Sequence, residues 1–192
     1  MISLPRISML TAGFFLFLVL LFPIWKITLI APQYPRGMGF YIWANKIVGD
    51  KPGTLKNINI LNHYIGMKPI EPDSIPELKY IKYILLGIAG MAFIMAVFNK
   101  WQLNLVWVII FVATIALAFY DFYLWEYDFG HNLNPDAAIK VEGMAFQPPL
   151  IGKKLIMNFT AISSPMLGSL FIVLSMVSGV LAVFFGIRQK KV

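Results

Sequence analysis

LNLVWVIIFVATIALAFY, residues 103–120, runs without a break into DFYLWEYDFGHN, residues 121–132. The first stretch contains no ionisable side chain, whereas the second carries Asp121, Glu126, Asp128 and His131. An apolar run of about 17–25 residues crosses a bilayer core as a helix, because every backbone N–H and C=O must then be bonded within the segment. The step from Tyr120 to Asp121 therefore marks where hydrocarbon ends, and chemistry is sought beyond it.

Three more segments of this kind, 7–25, 81–98 and 165–187, accompany residues 103–120. Of the 192 residues, 59% are hydrophobic and only 13% charged, and the mean hydropathy is +0.74. That composition suits a membrane protein and not a soluble globule. The expectation is one membrane domain over 1–192: an all-α protein with four transmembrane helices and two long outer loops, 26–80 and 121–164, which fold together into a small cap. The two halves share the order helix, long loop, helix, and meet at the turn Asn99-Lys100-Trp101-Gln102. No residue-by-residue repeat accompanies that likeness.

Charge sets the expected orientation. Arg6, Lys100, Arg188, Lys190 and Lys191 lie in short flanks without an acid, whereas the loops hold all nine acids and ten of the other eleven Lys and Arg, with Lys82 at the start of segment 81–98. The positive-inside bias is read in short flanks close to helix ends, and long loops cross largely regardless of charge. Both termini are therefore expected in the cytoplasm and both loops outside. The first segment has Arg6 ahead of its apolar run but no small-x-small cleavage pattern, and Phe22-Pro23-Ile24-Trp25-Lys26 reads as an interfacial collar; it is expected to stay as an anchor helix. The net charge of +7 needs no nucleic acid, since anionic lipid at the inner face accounts for the concentrated part. With no cysteine, disulfides and thiolate metal sites are excluded.

Within the loops, Pro32, Pro35, Pro52, Pro69, Pro72, Pro76, Pro135, Pro148 and Pro149 favour turns and extended segments. Tyr34, Phe40, Trp43, Tyr64, Trp125, Phe129 and Phe146 make them too aromatic for disordered linkers. His63 and Met67 stand four apart, a spacing that on a helical turn brings imidazole and thioether to one face. That pair suits copper, because thioether favours Cu(I) and imidazole accepts either copper state. His131 or Met144 would complete such a set. The bland alternative is a hydrogen-bonded histidine and a packing methionine.

Asp121, Glu126 and Asp128 form a second candidate group, since acids at a membrane boundary are costly to desolvate unless paired or used. Pairing with loop lysines is the competing account. Gly143-Met144-Ala145-Phe146-Gln147-Pro148-Pro149 and Ala31-Pro32-Gln33-Tyr34-Pro35-Arg36-Gly37-Met38 are apolar turns suited to docking a partner or to packing on each other. No nucleophile elbow, phosphate loop or zinc-protease motif is present. The helices lack midplane charge, which disfavours ion-coupled transport. The chain is thus expected not to be an enzyme; a membrane enzyme using Asp121 and Glu126 as acid and base is a remoter possibility.

Pro23-Ile24-Trp25-Lys26, Leu61-Asn62-His63-Tyr64-Ile65-Gly66-Met67-Lys68, Asp121-Phe122-Tyr123-Leu124-Trp125-Glu126-Tyr127, Gly130-His131-Asn132-Leu133 and Gln147-Pro148-Pro149-Leu150-Ile151-Gly152 together resemble a family of small four-helix bacterial inner-membrane proteins. Its members are encoded beside Bacteroidetes-type (clade II) nitrous oxide reductase and its copper-delivery factors. The likeness covers nearly the whole chain. It implies periplasm-facing loops and work alongside a copper enzyme, either as an accessory or anchor in which His63, Met67, His131 and Met144 hold or relay copper, or as a non-catalytic subunit of a respiratory complex that docks a periplasmic redox protein.

Overall fold

A computed structural model of the chain describes residues 3–140, 143 and 145–189. The elements are α1 (Leu4–Val19), β1 (Trp25–Ala31), β2 (Tyr34–Ile42), β3 (Ile47–Gly49), α2 (Thr54–Tyr64), α3 (Glu77–Phe98), α4 (Trp101–His131), β4 (Gly152–Ile156), β5 (Phe159–Pro165) and α5 (Leu167–Gln189), with a 3-10 turn at Pro72–Ser74. The all-α expectation is overturned, and the four-helix bundle with it. The strands form an antiparallel sheet of order β3-β2-β1-β5-β4, so the protein is mixed α and β.

The sheet comes from the stretches whose proline and glycine content argued for turns. In β1, Trp25, Ile27 and Leu29 point to one face and join a buried cluster with Met38, Phe40 and Ile42 of β2, while Lys26, Thr28 and Ile30 alternate onto the other face. That period of two is a strand signal. The prolines do not break it. Pro35 lies at the β1–β2 tip, where the register shifts between Leu29 and Ala31, and Pro165 ends β5. Gly39 is required by close approach: a Cβ there would lie 2.6 Å from the Ile27 carbonyl oxygen. Pairing of Trp25–Ile30 with Thr160–Pro165 joins the two inter-helix segments into one body.

Three helices, α3, α4 and α5, are long and apolar enough to cross a membrane. The fourth, α1, has 16 residues, about 24 Å at 1.5 Å per residue, by itself short of the roughly 30 Å core; residues 20–24 carry the chain the rest of the way from the Arg6 end of the helices to the sheet. It stops at Val19 and the chain is extended again from Trp25, whose indole Nε1 donates to the Ser163 hydroxyl at 2.7 Å within the sheet. Small residues let the helices approach closely, as membrane packing favours. Gly13 faces the Phe93 ring, which a Cβ would reach at 2.9 Å. Ser175 Oγ donates to the Ala12 carbonyl at 2.8 Å, and Gly179 leaves room for the Trp107 ring, whose Nε1 donates to Ile88 O at 2.9 Å.

The two ends of the helices are closed differently. At the end carrying the α3–α4 turn, Arg6 donates to the carbonyls of Ala96 and Val97 at 2.9 and 3.0 Å, placing a cation on the free C-terminal carbonyls of α3. At the sheet end, Gly168 N–H donates to Pro23 O and Met166 N–H to Ile24 O, pinning the start of α5 to the start of β1.

Candidate functional site

Helix α4 spans 31 residues, about 46 Å, while a crossing needs about 20. Its last turns, from Asp121 onward, therefore rise past the membrane-crossing stretch and lie under the sheet. Phe122, Trp125 and Phe129, spaced three and four apart, pack with Trp25, Ile27, Phe40 and Ile58. The Trp125 and Phe129 rings are 4.5 Å apart. Gly130 ends this buried stripe. A Cβ there would collide with the backbone of Gln147, and Phe146 N–H donates to Gly130 O at 2.9 Å. Absence of a side chain at Gly130 thus lets the 145–148 segment close over the end of α4.

Between the sheet, α2 and the end of α4 lies a cavity of about 70 Å³. Its walls include Phe40, Met67, Trp125, Phe129, Phe146 and Phe159, with Asn62 and Glu126 the polar side chains that matter there. Asn59 and Asn62 hold the adjoining loop: Asn59 exchanges hydrogen bonds with the Ile70 backbone, and Asn62 Nδ2 donates to Lys68 O at 3.2 Å. Glu126 is 0% exposed. Among the described residues neither of its carboxyl oxygens has a hydrogen-bond partner, and the same holds for the buried Nε1 of Trp125. Burial pushes the Glu126 carboxyl up from 4.5 to about 8, because taking a carboxylate out of water without a partner penalises its charged form. At neutral pH it is mostly a neutral acid.

The other two acids behave differently. Asp128 bonds Lys68 Nζ at 2.6 Å with both side chains about half exposed, and it also accepts from Asn132 Nδ2 at 3.2 Å. The Lys68 hydrogen bond is the largest effect and holds its carboxyl below the usual range; desolvation opposes it, and the Asn132 hydrogen bond and the Lys68 charge add smaller lowering effects. Asp121 is exposed, and its carboxyl is raised by partial desolvation and then by the nearby Glu77 charge. Lysine pairing thus describes Asp128 and not Glu126. Asp121 does not line the cavity, so the two acids of the acid–base reading do not share it.

The metal candidates are also distributed. Helix α2 ends at Tyr64, and Gly66 turns the chain with φ of 80°, so the helical spacing from His63 to Met67 is interrupted. His63 is exposed and lines an open groove with Lys56, Tyr64, Glu71 and Asp73, whereas Met67 faces the buried cavity. His131 is exposed, stacks on Tyr127 with centroids 4.0 Å apart and pairs through Nδ1 with Tyr127 O at 3.0 Å. Met144 lies outside the described residues. Among the described residues no three His, Cys, Asp or Glu side chains converge as a metal site.

The cavity walls were open to sequence reasoning only in part. An acid set between Trp125 and Tyr127 on a helix leaving the membrane signals a carboxyl among aromatic rings. The contributions of Phe40, Phe146 and Phe159 come from strands and a loop distant in sequence. Comparison with protein-family models, curated proteins and solved structures finds no match for the chain.

Proposed function

We propose that this protein is an accessory or anchoring protein of a bacterial inner membrane, with both termini cytoplasmic, whose outward sheet docks an acidic periplasmic redox protein of the nitrous oxide reductase system. The observation that carries the reading is the charge of the sheet. Its five strands contain Lys26, Arg36, Lys153 and Lys154 and no acid. The face turned away from α2 and α4 presents Lys26 over the Tyr41 ring at 4.8 Å, with Lys153, Val48 and Leu155 exposed beside it. A mixed basic and apolar face favours encounter with an acidic partner and suppresses basic ones. Nitrous oxide reductase enters as that partner through the family resemblance of the loop motifs.

The helical part supports anchoring over transport. Residues 7–19 of α1, 84–98 of α3, 101–119 of α4 and 167–187 of α5 carry no Lys, Arg, Asp, Glu or His, and ion or proton pathways through a membrane are normally lined by such groups. Copper relay through His63 and His131 remains part of the reading only as delivery between exposed imidazoles and the docked partner, since Met67 faces elsewhere.

The test is binding of purified nitrous oxide reductase to the full chain in lipid nanodiscs, measured against salt. The expected result is an affinity that falls with ionic strength and drops about tenfold or more, about 1.4 kcal/mol, for a Lys26→Glu/Lys153→Glu variant. Binding indifferent to both would remove the sheet face from the account. Cysteines introduced singly at Asn45 and Gln102, labelled in intact cells by a membrane-impermeant maleimide, check orientation. Labelling at Asn45 alone is expected, and labelling at Gln102 alone would invert the topology.

A further inference from the structure

Glu126 is the only ionisable side chain fully buried among the described residues, and docking on the opposite face of the sheet leaves it without a use. The geometry points to the cavity beneath the sheet as a binding site for a small monocation of the ammonium class, ammonium itself or methylammonium, taken up in exchange for the Glu126 proton.

Four observations restrict the occupant. Glu126 lines the cavity with both carboxyl oxygens buried and without a partner among the described residues, and no Lys, Arg or His lines that space; Lys68 is committed to Asp128 at the surface. A lone carboxylate excludes anions and calls for a cation. Phe40, Trp125, Phe129, Phe146 and Phe159 contribute aromatic rings to walls otherwise made of Ile, Leu, Met and Pro side chains, and aromatic rings attract alkylammonium ions through their quadrupoles, most strongly when both are desolvated. The volume of about 70 Å³ compares with about 30 Å³ for one liquid water, leaving room for one to three heavy atoms and none for a bulky quaternary ion. A calcium-type cation would need six or more oxygen ligands, and a soft metal would find Met67 as its single sulfur.

Charge balance favours exchange over simple entry. The neutral acid and the free ammonium ion become a carboxylate–ammonium pair, and one proton leaves to solvent. The cavity is neutral before and after, so no bare charge is brought into apolar surroundings. The ammonium N–H groups then fill the carboxylate acceptors that the chain leaves empty.

The experiment uses the full chain in detergent at pH 7.5, with methylammonium chloride as probe against sodium chloride of equal ionic strength. Release of one proton per chain in weak buffer, loss of the protonated-carboxyl C=O band in infrared difference spectra and a raised Tm are expected, with none of these for tetraethylammonium. Because the cation competes with the proton, apparent affinity should weaken about tenfold per pH unit below neutrality. Glu126→Gln should abolish the response. Persistence of the carboxyl band at saturating methylammonium, or an equal response in Glu126→Gln, overturns the proposal. Should Glu126→Gln fail to fold, the infrared result on the unmodified chain decides alone.

Discussion

The helices and the sheet layer bury polar groups on opposite terms. In the helical part Ser175 bonds the Ala12 carbonyl, Trp107 the Ile88 carbonyl and Ser178 the Leu174 carbonyl, so most polar atoms are spent holding backbones together. Asn104 and the Trp101 indole are the exceptions there, neutral groups without a partner among the described residues. Beneath the sheet an ionisable group is left alone, and Asn62, the amide in the same cavity wall, is spent on the Lys68 carbonyl. A buried polar group that is satisfied holds a fold together, whereas an unsatisfied one costs stability and is retained where it has a use. By that measure the helical part is built for rigidity, and the layer beneath the sheet holds the one buried acid left unsatisfied among the described residues.

Substitutions test that division, beginning with the largest effect. Trp107→Ala removes a fully buried indole seated on Gly179 and should cost about 3–5 kcal/mol, read as a lower Tm in detergent. An effect below about 1 kcal/mol would mean that the helices do not pack through this ring.

Next comes pH. Glu126 holds its proton more tightly folded, at about 8, than unfolded, at 4.5. Stability is therefore greatest below 4.5 and is lost as pH rises towards 8; between pH 6 and 8 the loss is about 2 kcal/mol, the slope of 1.36 kcal/mol per unit flattening as pH reaches the folded value. Glu126→Gln should flatten that slope, and chemical denaturation at both pH values checks it. An unchanged slope would place the titration on another group.

Smaller effects are expected within the sheet and at the surface. Trp25→Phe keeps the ring contacts with Phe119 and Phe122 but loses the hydrogen bond to Ser163, for about 1 kcal/mol. Lys68→Met breaks an exposed pair and should change stability by about 0–1 kcal/mol. A loss above about 2 kcal/mol there would make the Lys68–Asp128 bridge a structural clamp between α4 and the 66–70 loop, contrary to what its exposure implies.

How much was legible differs between the two regions for a physical reason. Helix positions in a membrane follow from an unbroken local property, apolar side chains over a bilayer thickness, and 81–98, 103–120 and 165–187 lie within α3, α4 and the β5–α5 stretch. The sheet depends on partners far apart in the chain. Trp25 pairs with Ile42 on one side and Pro165 on the other, and a short strand with prolines at its ends reads locally as a turn. The copper set was inferred from helical spacing, which the αL glycine at Gly66 breaks between His63 and Met67. Asp121 and Glu126 stand out by sequence as an acid–base pair; burial of Glu126 and the Lys68 bridge of Asp128 are what separate the three acids.

By itself the sequence determined that this chain carries long apolar helices without interior charge, that its acids gather in two inter-helix segments, and that no thiol chemistry is available. These are sums over local composition. It takes the folded molecule to bring those segments into one sheet through β1 and β5, to raise the end of α4 beneath it, and to set Glu126 rather than Asp121 or Asp128 against a largely apolar cavity. Those facts depend on which distant surfaces meet, and burial, the quantity that turns one carboxyl into a neutral acid, exists only after they have met.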